Sequence, residues 1–175
     1  MSTPKHMEQV FLSAYDEYAD AIFRHCFFRV NDRERAKELS QEVFVRVWEY
    51  LQKHAEDEVE NMQALLYRVA RNLIIDEYRG RRKHGLSLDL LREEDGFDTE
   101  DTRAHEGIIR AVEMTEVEHA MEKLPDHVRE ALVLRYIDDM SVKDIAALTK
   151  ETENAVSVRL HRGINELRKL LRTNE

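Results

Sequence analysis

Cysteine is almost missing from this chain: Cys26 stands alone, so no internal disulfide can form and no Cys-rich zinc site can be assembled. Proline and glycine are scarce, two and five among 175 residues, which leaves few breaks and predicts a mostly helical protein. Aromatics supply only 7%, so the core must be built chiefly from Leu, Ile, Val, Ala and Met on amphipathic helices. No segment approaches the roughly 20 apolar residues of a membrane span. Met1 to Val10 lacks the apolar run and small-residue cleavage pattern of a signal peptide, so a cytoplasmic protein without membrane insertion is expected. Positive charge is also short. With 27 Lys and Arg against 36 Asp and Glu, the net charge of −9 argues against a free-standing DNA binder, because phosphate repels the molecule as a whole.

What is present is segregated. Basic residues gather between Leu66 and Lys83, whereas Leu86 to Glu106 holds Asp89, Glu93, Glu94, Asp95, Asp98, Glu100, Asp101 and Glu106 against Arg92 and Arg103. Helical periodicity predicts a first helix over Met7 to Arg29, with Cys26 as a buried small hydrophobe, then a break at Asn31-Asp32. A second helix runs from Arg33 to Lys53, its stripe made by Ala36, Leu39, Val43, Phe44, Val47 and Leu51. The acidic stretch His54 to Asn61 reads as a loop, and a third helix extends from Met62 to about Arg79. On that helix Leu66, Val69, Ala70, Leu73 and Ile74 form an apolar stripe, and Tyr67, Arg68, Arg71, Asn72, Tyr78, Arg79 and Arg82 gather opposite. Rings that stack on bases beside guanidinium groups that neutralise phosphate suit single-stranded nucleic acid, and a solvated basic surface fits the same pattern.

After the acidic stretch, a helix from about Ile108 stops before Pro125, and Pro125-Asp126 starts another, Val128 to Ile137, closed by Asp138-Asp139. Ser141 with Asp144 makes an approximate capping box for Val142 to Leu148, and Thr152 caps a final helix with the stripe Val156, Leu160, Ile164, Leu167 and Leu171. Two helices joined by so tight a turn form a helix-turn-helix candidate. As a recognition helix, the final helix would place Asn154, Ser157, Val158 and His161 to read base edges, and Arg159, Arg162 and Lys169 to hold phosphate; a solvated helix of a bundle fits the same periodicity equally well.

Two pairs of segments together resemble a known family. Arg35 to Trp48 and Leu66 to Asp76 are similar to region 2 of sigma-70 factors of the extracytoplasmic-function group, and Leu124 to Tyr136 and Val156 to Gly163 to region 4. The resemblance implies an all-α chain of two small helical domains. These are a region 2 bundle over 1–84 and a region 4 helix-turn-helix domain over 108–175, joined by a flexible acidic linker over 85–107. It implies a promoter-specificity subunit that binds core RNA polymerase through Glu38, Gln41, Glu42 and Val45, and that recognises and melts the minus-ten element with Tyr67, Arg71, Asn72, Asp76 and Arg79. The minus-thirty-five element falls to Asn154, Ser157, Val158, Arg159, His161 and Arg162. The partners implied are core polymerase, promoter DNA and an anti-sigma factor, with the chain monomeric on polymerase. Lys150 and Glu151 stand where the family often has Gly and an apolar residue, and Asn154-Ala155 replaces the common Gly-Thr. Such changes fall on the turn and the reading positions and leave the promoter sequence open.

Two rivals explain less. A plain helix-turn-helix regulator leaves Glu38 to Trp48 and the basic third helix unused. A di-iron bundle requires two Glu-x-x-His motifs, and only Glu116 with His119 has that spacing. No nucleophile-base arrangement or Gly-rich phosphate loop stands out, so neither catalysis by this chain nor a metal or cofactor is expected.

Overall fold

The computed structural model describes residues 4–83 and 115–173. The acidic linker expected over 85–107 and the expected start of the second domain near Ile108 lie outside the described residues. Every regular element among those described is helical.

Helix α1 (Pro4–Val30) ends at Asn31, which takes a left-handed φ of 49° and donates its N–H to the Phe27 carbonyl at 2.7 Å. Asparagine tolerates that conformation better than most side chains. The next residue, Asp32, caps α2 (Arg33–Lys53) by accepting the Arg35 N–H at 2.9 Å. Helix α3 (Met62–Lys83) starts after the expected loop, where Asn61 accepts the Ala64 N–H at 2.9 Å. It runs one turn past the expected end because Gly80 does not break it. The stripe Ala36, Leu39, Val43, Phe44, Val47 and Leu51 is buried against Ile22 and Cys26 of α1 and Leu66, Ala70, Leu73 and Ile74 of α3. Cys26 has no exposed surface, and burial pushes its thiol up to about 12, consistent with its expected role as a hydrophobe.

In the second domain residues 115–122 form α4. Helix α5 (Asp126–Leu132) begins at the Pro125-Asp126 step, as the sequence indicates, and then widens into a π-helical turn, Val133–Ile137. The Asp138 N–H reaches the Val133 carbonyl at 3.0 Å and the Met140 N–H the Leu134 carbonyl at 2.9 Å, so an unbroken α-helix to Ile137 is not what forms. Arg129 turns its guanidinium back onto the end of α4, donating to the carbonyls of Met121, Glu122 and Leu124 at 3.0 to 3.1 Å. These are the acceptors a helix end leaves without partners. Ser141 caps α6 (Val142–Thr149) as expected, and Thr152 caps α7 (Glu153–Arg172) through the Ala155 N–H at 3.1 Å. Between them Lys150 takes a left-handed φ of 59°, the position where the resembling family often has glycine.

The helical bundle and the helix-turn-helix domain are packed on each other, which the sequence did not indicate. The C-terminal half of α1 and the start of α3 meet α5 and the wide turn, and the buried apolar residues of both halves form one continuous cluster.

Candidate nucleic-acid interface

On α2 the outer face is a row at helical spacing. Glu38, Gln41 and Glu42 are exposed, and Val45 is 53% exposed although apolar. The acidic members are partly neutralised from their own helix, Arg35 pairing with Glu38 at 2.6 Å and Arg46 with Glu42 at 2.9 Å. Beside this row a groove of about 570 Å³ runs between α2 and α3, lined by Glu38 and Glu42 on one wall and Asp76 and Glu77 on the other. Arg35 bridges it to Glu77 at 2.5 Å, and its hydrogen bonds hold the Glu77 carboxyl below the usual glutamate range.

On α3 the expected basic and aromatic face divides in two. Asn72, Asp76 and Arg79 are exposed and share a side of the helix. Tyr67 and Arg71 face the second domain instead. Tyr67 is 2% exposed, and its hydroxyl donates to Asp138 at 3.1 Å. Burial, more than the Asp138 charge, pushes its phenol far up. Arg71 donates to Glu130 through Nε at 2.8 Å and through Nη2 at 3.4 Å. The reading of Tyr67 and Tyr78 as open stacking rings is therefore corrected. Tyr67 lies in the interdomain contact, and the Tyr78 hydroxyl donates to the Arg29 carbonyl. Periodicity places a residue on a face and says nothing of a second domain covering it.

Sequence reasoning missed the residues on which the contact turns. Arg29 has no exposed surface and donates to Glu130 at 3.0 Å and to Asp126 at 3.3 Å. His25, 1% exposed, lies with Nδ1 2.7 Å from Asp138; a carboxylate only accepts, so that nitrogen donates. Arg29 Nε and His25 Nε2 are buried without partners. A signal was available: His25 and Arg29 interrupt the apolar side of α1 that carries Ile22 and Cys26, and buried charge requires a partner.

On α7, Asn154, Ser157, Val158, His161 and Arg162 are exposed together. Arg159 differs, because it is part-buried and its guanidinium is paired with Glu151 of the turn. That bond holds the Glu151 carboxyl below its usual range and fixes the turn to the helix. Among the described residues no three His, Cys, Asp or Glu side chains converge as a metal site, and no helix is long and apolar enough to cross a membrane.

The profile for Sigma-70 region 2 matches residues 14–84, and that for Sigma-70, region 4 matches residues 114–167. The extracytoplasmic-function RNA polymerase sigma factor SigW of Bacillus subtilis is 30% identical over 172 residues, covering 94% of this chain and 90% of the relative. SigX of the same organism is 26% identical over 168 residues, covering 93% and 84%. In fold, the chain is similar to the sigma factor RpoE bound to the anti-sigma factor NepR from Bartonella quintana, with a TM-score of 0.75, 20% identity and coverage of 95% and 99%. It is also similar to CnrH in complex with the cytosolic domain of CnrY, with a TM-score of 0.69, 22% identity and coverage of 96% and 91%. Carrying both regions in order and sharing nearly its full length with SigW, the chain belongs to the sigma-70 family, among the RNA polymerase sigma factors of the extracytoplasmic-function group.

Proposed function

We propose that this sigma factor binds core RNA polymerase through the exposed row Glu38, Gln41, Glu42 and Val45, and directs initiation at promoters with distinct minus-ten and minus-thirty-five elements. The division of labour follows the domains: 1–84 for polymerase and the minus-ten element, 85–107 as connector, 108–175 for the minus-thirty-five element. The observation that carries the reading is the open face of α7, where a Thr152-capped N-terminus presents Asn154, Ser157, Val158, His161 and Arg162 together beyond a tight turn. A helix N-terminus so presented fits the major groove, with early residues at base edges and Arg162 at phosphate. Arg159 acts first on its own domain, through Glu151, and reaches DNA from that position.

At the minus-ten element Asn72, Asp76 and Arg79 offer exposed amide, carboxylate and guanidinium groups, and Arg71 and Tyr67 join them once uncovered. Melting requires a few kcal/mol per extruded base, which stacking and hydrogen bonding in a pocket offset. An anti-sigma partner is part of the proposal, supported by the complexes in which the two structurally similar sigma factors were solved. The test is transcription by core polymerase reconstituted with the purified chain on a randomised promoter library. Start sites enriched for two spaced elements are expected; start sites with no sequence preference refute it.

A further inference from the structure

The turn of the helix-turn-helix carries a side chain that the proposed function gives no task of its own toward DNA. Glu151 stands where the family often has an apolar residue. Its backbone is set by the left-handed Lys150 before it, φ 59°, and by its own N–H, which donates to the Ala146 carbonyl at 3.0 Å. From there the carboxylate meets α7. Oε2 accepts from Arg159 Nη1 at 2.5 Å and Oε1 from Nη2, so both ends of the guanidinium fork are held and its plane is fixed. The same bonds hold the Glu151 carboxyl low, so it keeps its charge at neutral pH. Arg159 lies at the rim of the reading face, about 60° around α7 from exposed Arg162 on one side and from buried Val156 on the other. Phosphates flank the groove that a recognition helix enters, so this rim is where a free guanidinium finds them.

We propose that Glu151 is a specificity-determining residue of the minus-thirty-five reader, a positioning residue that restrains Arg159 so that it meets DNA in one register only. The inference rests on the proposed function and gives the turn a part in it. A mobile guanidinium follows whichever phosphate is near and strengthens every register alike, a hold that carries no sequence information. Held by Glu151, Arg159 has its charge compensated, and its remaining N–H groups serve only a DNA atom that docking of the base-reading residues brings over them. In any other register the Glu151 carboxylate meets phosphate as a like charge.

The rim is neutral with the native pair, positive in E151Q and neutral again in E151Q/R159A. The full chain and each variant, with helical circular dichroism and urea midpoint checked, are titrated with a fluorescein-labelled duplex of random sequence over a range of salt. E151Q is expected to bind more tightly, by up to about eightfold at 0.1 M salt, with a log–log salt slope steeper by about 0.9, and E151Q/R159A to return to the native values. E151M, with an apolar side chain of the kind the family often has there, gives the same rise and serves in place of E151Q if that variant does not fold. E153Q removes an equal charge from an exposed neighbour. A rise as large in E153Q, or none in E151Q and E151M, overturns the proposal. Core polymerase carrying each chain then transcribes from a promoter selected with the native chain and from the same promoter with its minus-thirty-five element scrambled. The ratio of the two outputs is expected to fall at least about threefold in E151Q, and an unchanged ratio overturns the assignment of specificity. If the native chain selects no promoter, the sigma-factor reading has failed separately, and the random-duplex titration still decides whether Glu151 restrains Arg159.

Discussion

Replacing Glu130 by Gln keeps its shape and removes one negative charge from between two guanidinium groups. In the native contact its Oε1 accepts from Arg29 at 3.0 Å and from Arg71 at 2.8 Å, with Arg29 fully buried and Glu130 nearly so. Stranding a buried charge in this way costs about 3 to 5 kcal/mol. Asp126 still faces Arg29 at 3.3 Å but is 43% exposed, and Arg71 is 25% exposed, so the low end applies. The packing of the two domains on each other is expected to weaken by about 3 kcal/mol, roughly 150-fold in the equilibrium between packed (closed) and separated (open) domains. Donor and acceptor labels in the 54–61 loop and at the end of α7 read the opening, and Trp48, packed on Phe11 at 5.1 Å between ring centroids, reports whether the bundle itself has unfolded. Arg29→Met added to Glu130→Gln removes the stranded cation and leaves an apolar side chain in its place. The double variant should therefore close better than Glu130→Gln alone. If the two substitutions instead weaken closure additively, Arg29 is not a desolvated charge and the argument from burial is wrong.

Gly163→Ala places a methyl 2.7 Å from Val128 Cγ1, where α7 crosses α5, and is expected to destabilise the second domain by about 1 to 3 kcal/mol in urea unfolding. Lys150→Gly relieves a left-handed residue at the helix-turn-helix turn and should stabilise the same domain by about 0.5 to 1 kcal/mol by the same measurement. Arg162→Ala should weaken promoter binding and reduce its salt dependence by about one counterion while leaving core association unchanged; an equal fall in core association contradicts the division between domains. Glu77 and Glu151 are both held below the ordinary glutamate value by arginine partners, so the stability they supply is present above about pH 4.5 and is lost as pH falls further. Arg35→Gln should flatten the acid limb of a stability-versus-pH curve by removing the first of these partners.

What could be read from the sequence was local. The ends of α2, the capping roles of Asp32, Ser141 and Thr152, and the buried stripe of α2 all depend on residues within one or two turns of each other, and each is found where spacing puts it. The wide turn after Leu132 has no such signature, because neither Pro nor Gly marks it and its hydrogen bonds follow from the reversal at Asp138 and Asp139. Tyr67 and Arg71 show the same limit at longer range. Their partners, Asp138 and Glu130, are 71 and 59 residues away, beyond the acidic stretch, and no helical period reaches so far. His25 and Arg29 were visible as polar interruptions of an apolar face, but which carboxylates would meet them was not.

The net charge of −9 takes on a specific meaning in this arrangement. Acidic residues of the second domain do more than lower the average attraction to DNA: Asp138 and Glu130 are hydrogen-bonded to Tyr67 and Arg71, two of the side chains proposed for the minus-ten strand. A uniform negative charge weakens every DNA contact alike, and salt screens it over a distance of about 10 Å. A carboxylate hydrogen-bonded to Arg71 acts at one site, through desolvated contact that salt screens far less. The two causes expected to weaken binding by the free chain therefore separate in one titration. Single-strand binding that stays weak as ionic strength changes, and strengthens when Glu130 loses its charge, belongs to the local contact; binding governed by the overall charge responds to salt and barely to Glu130.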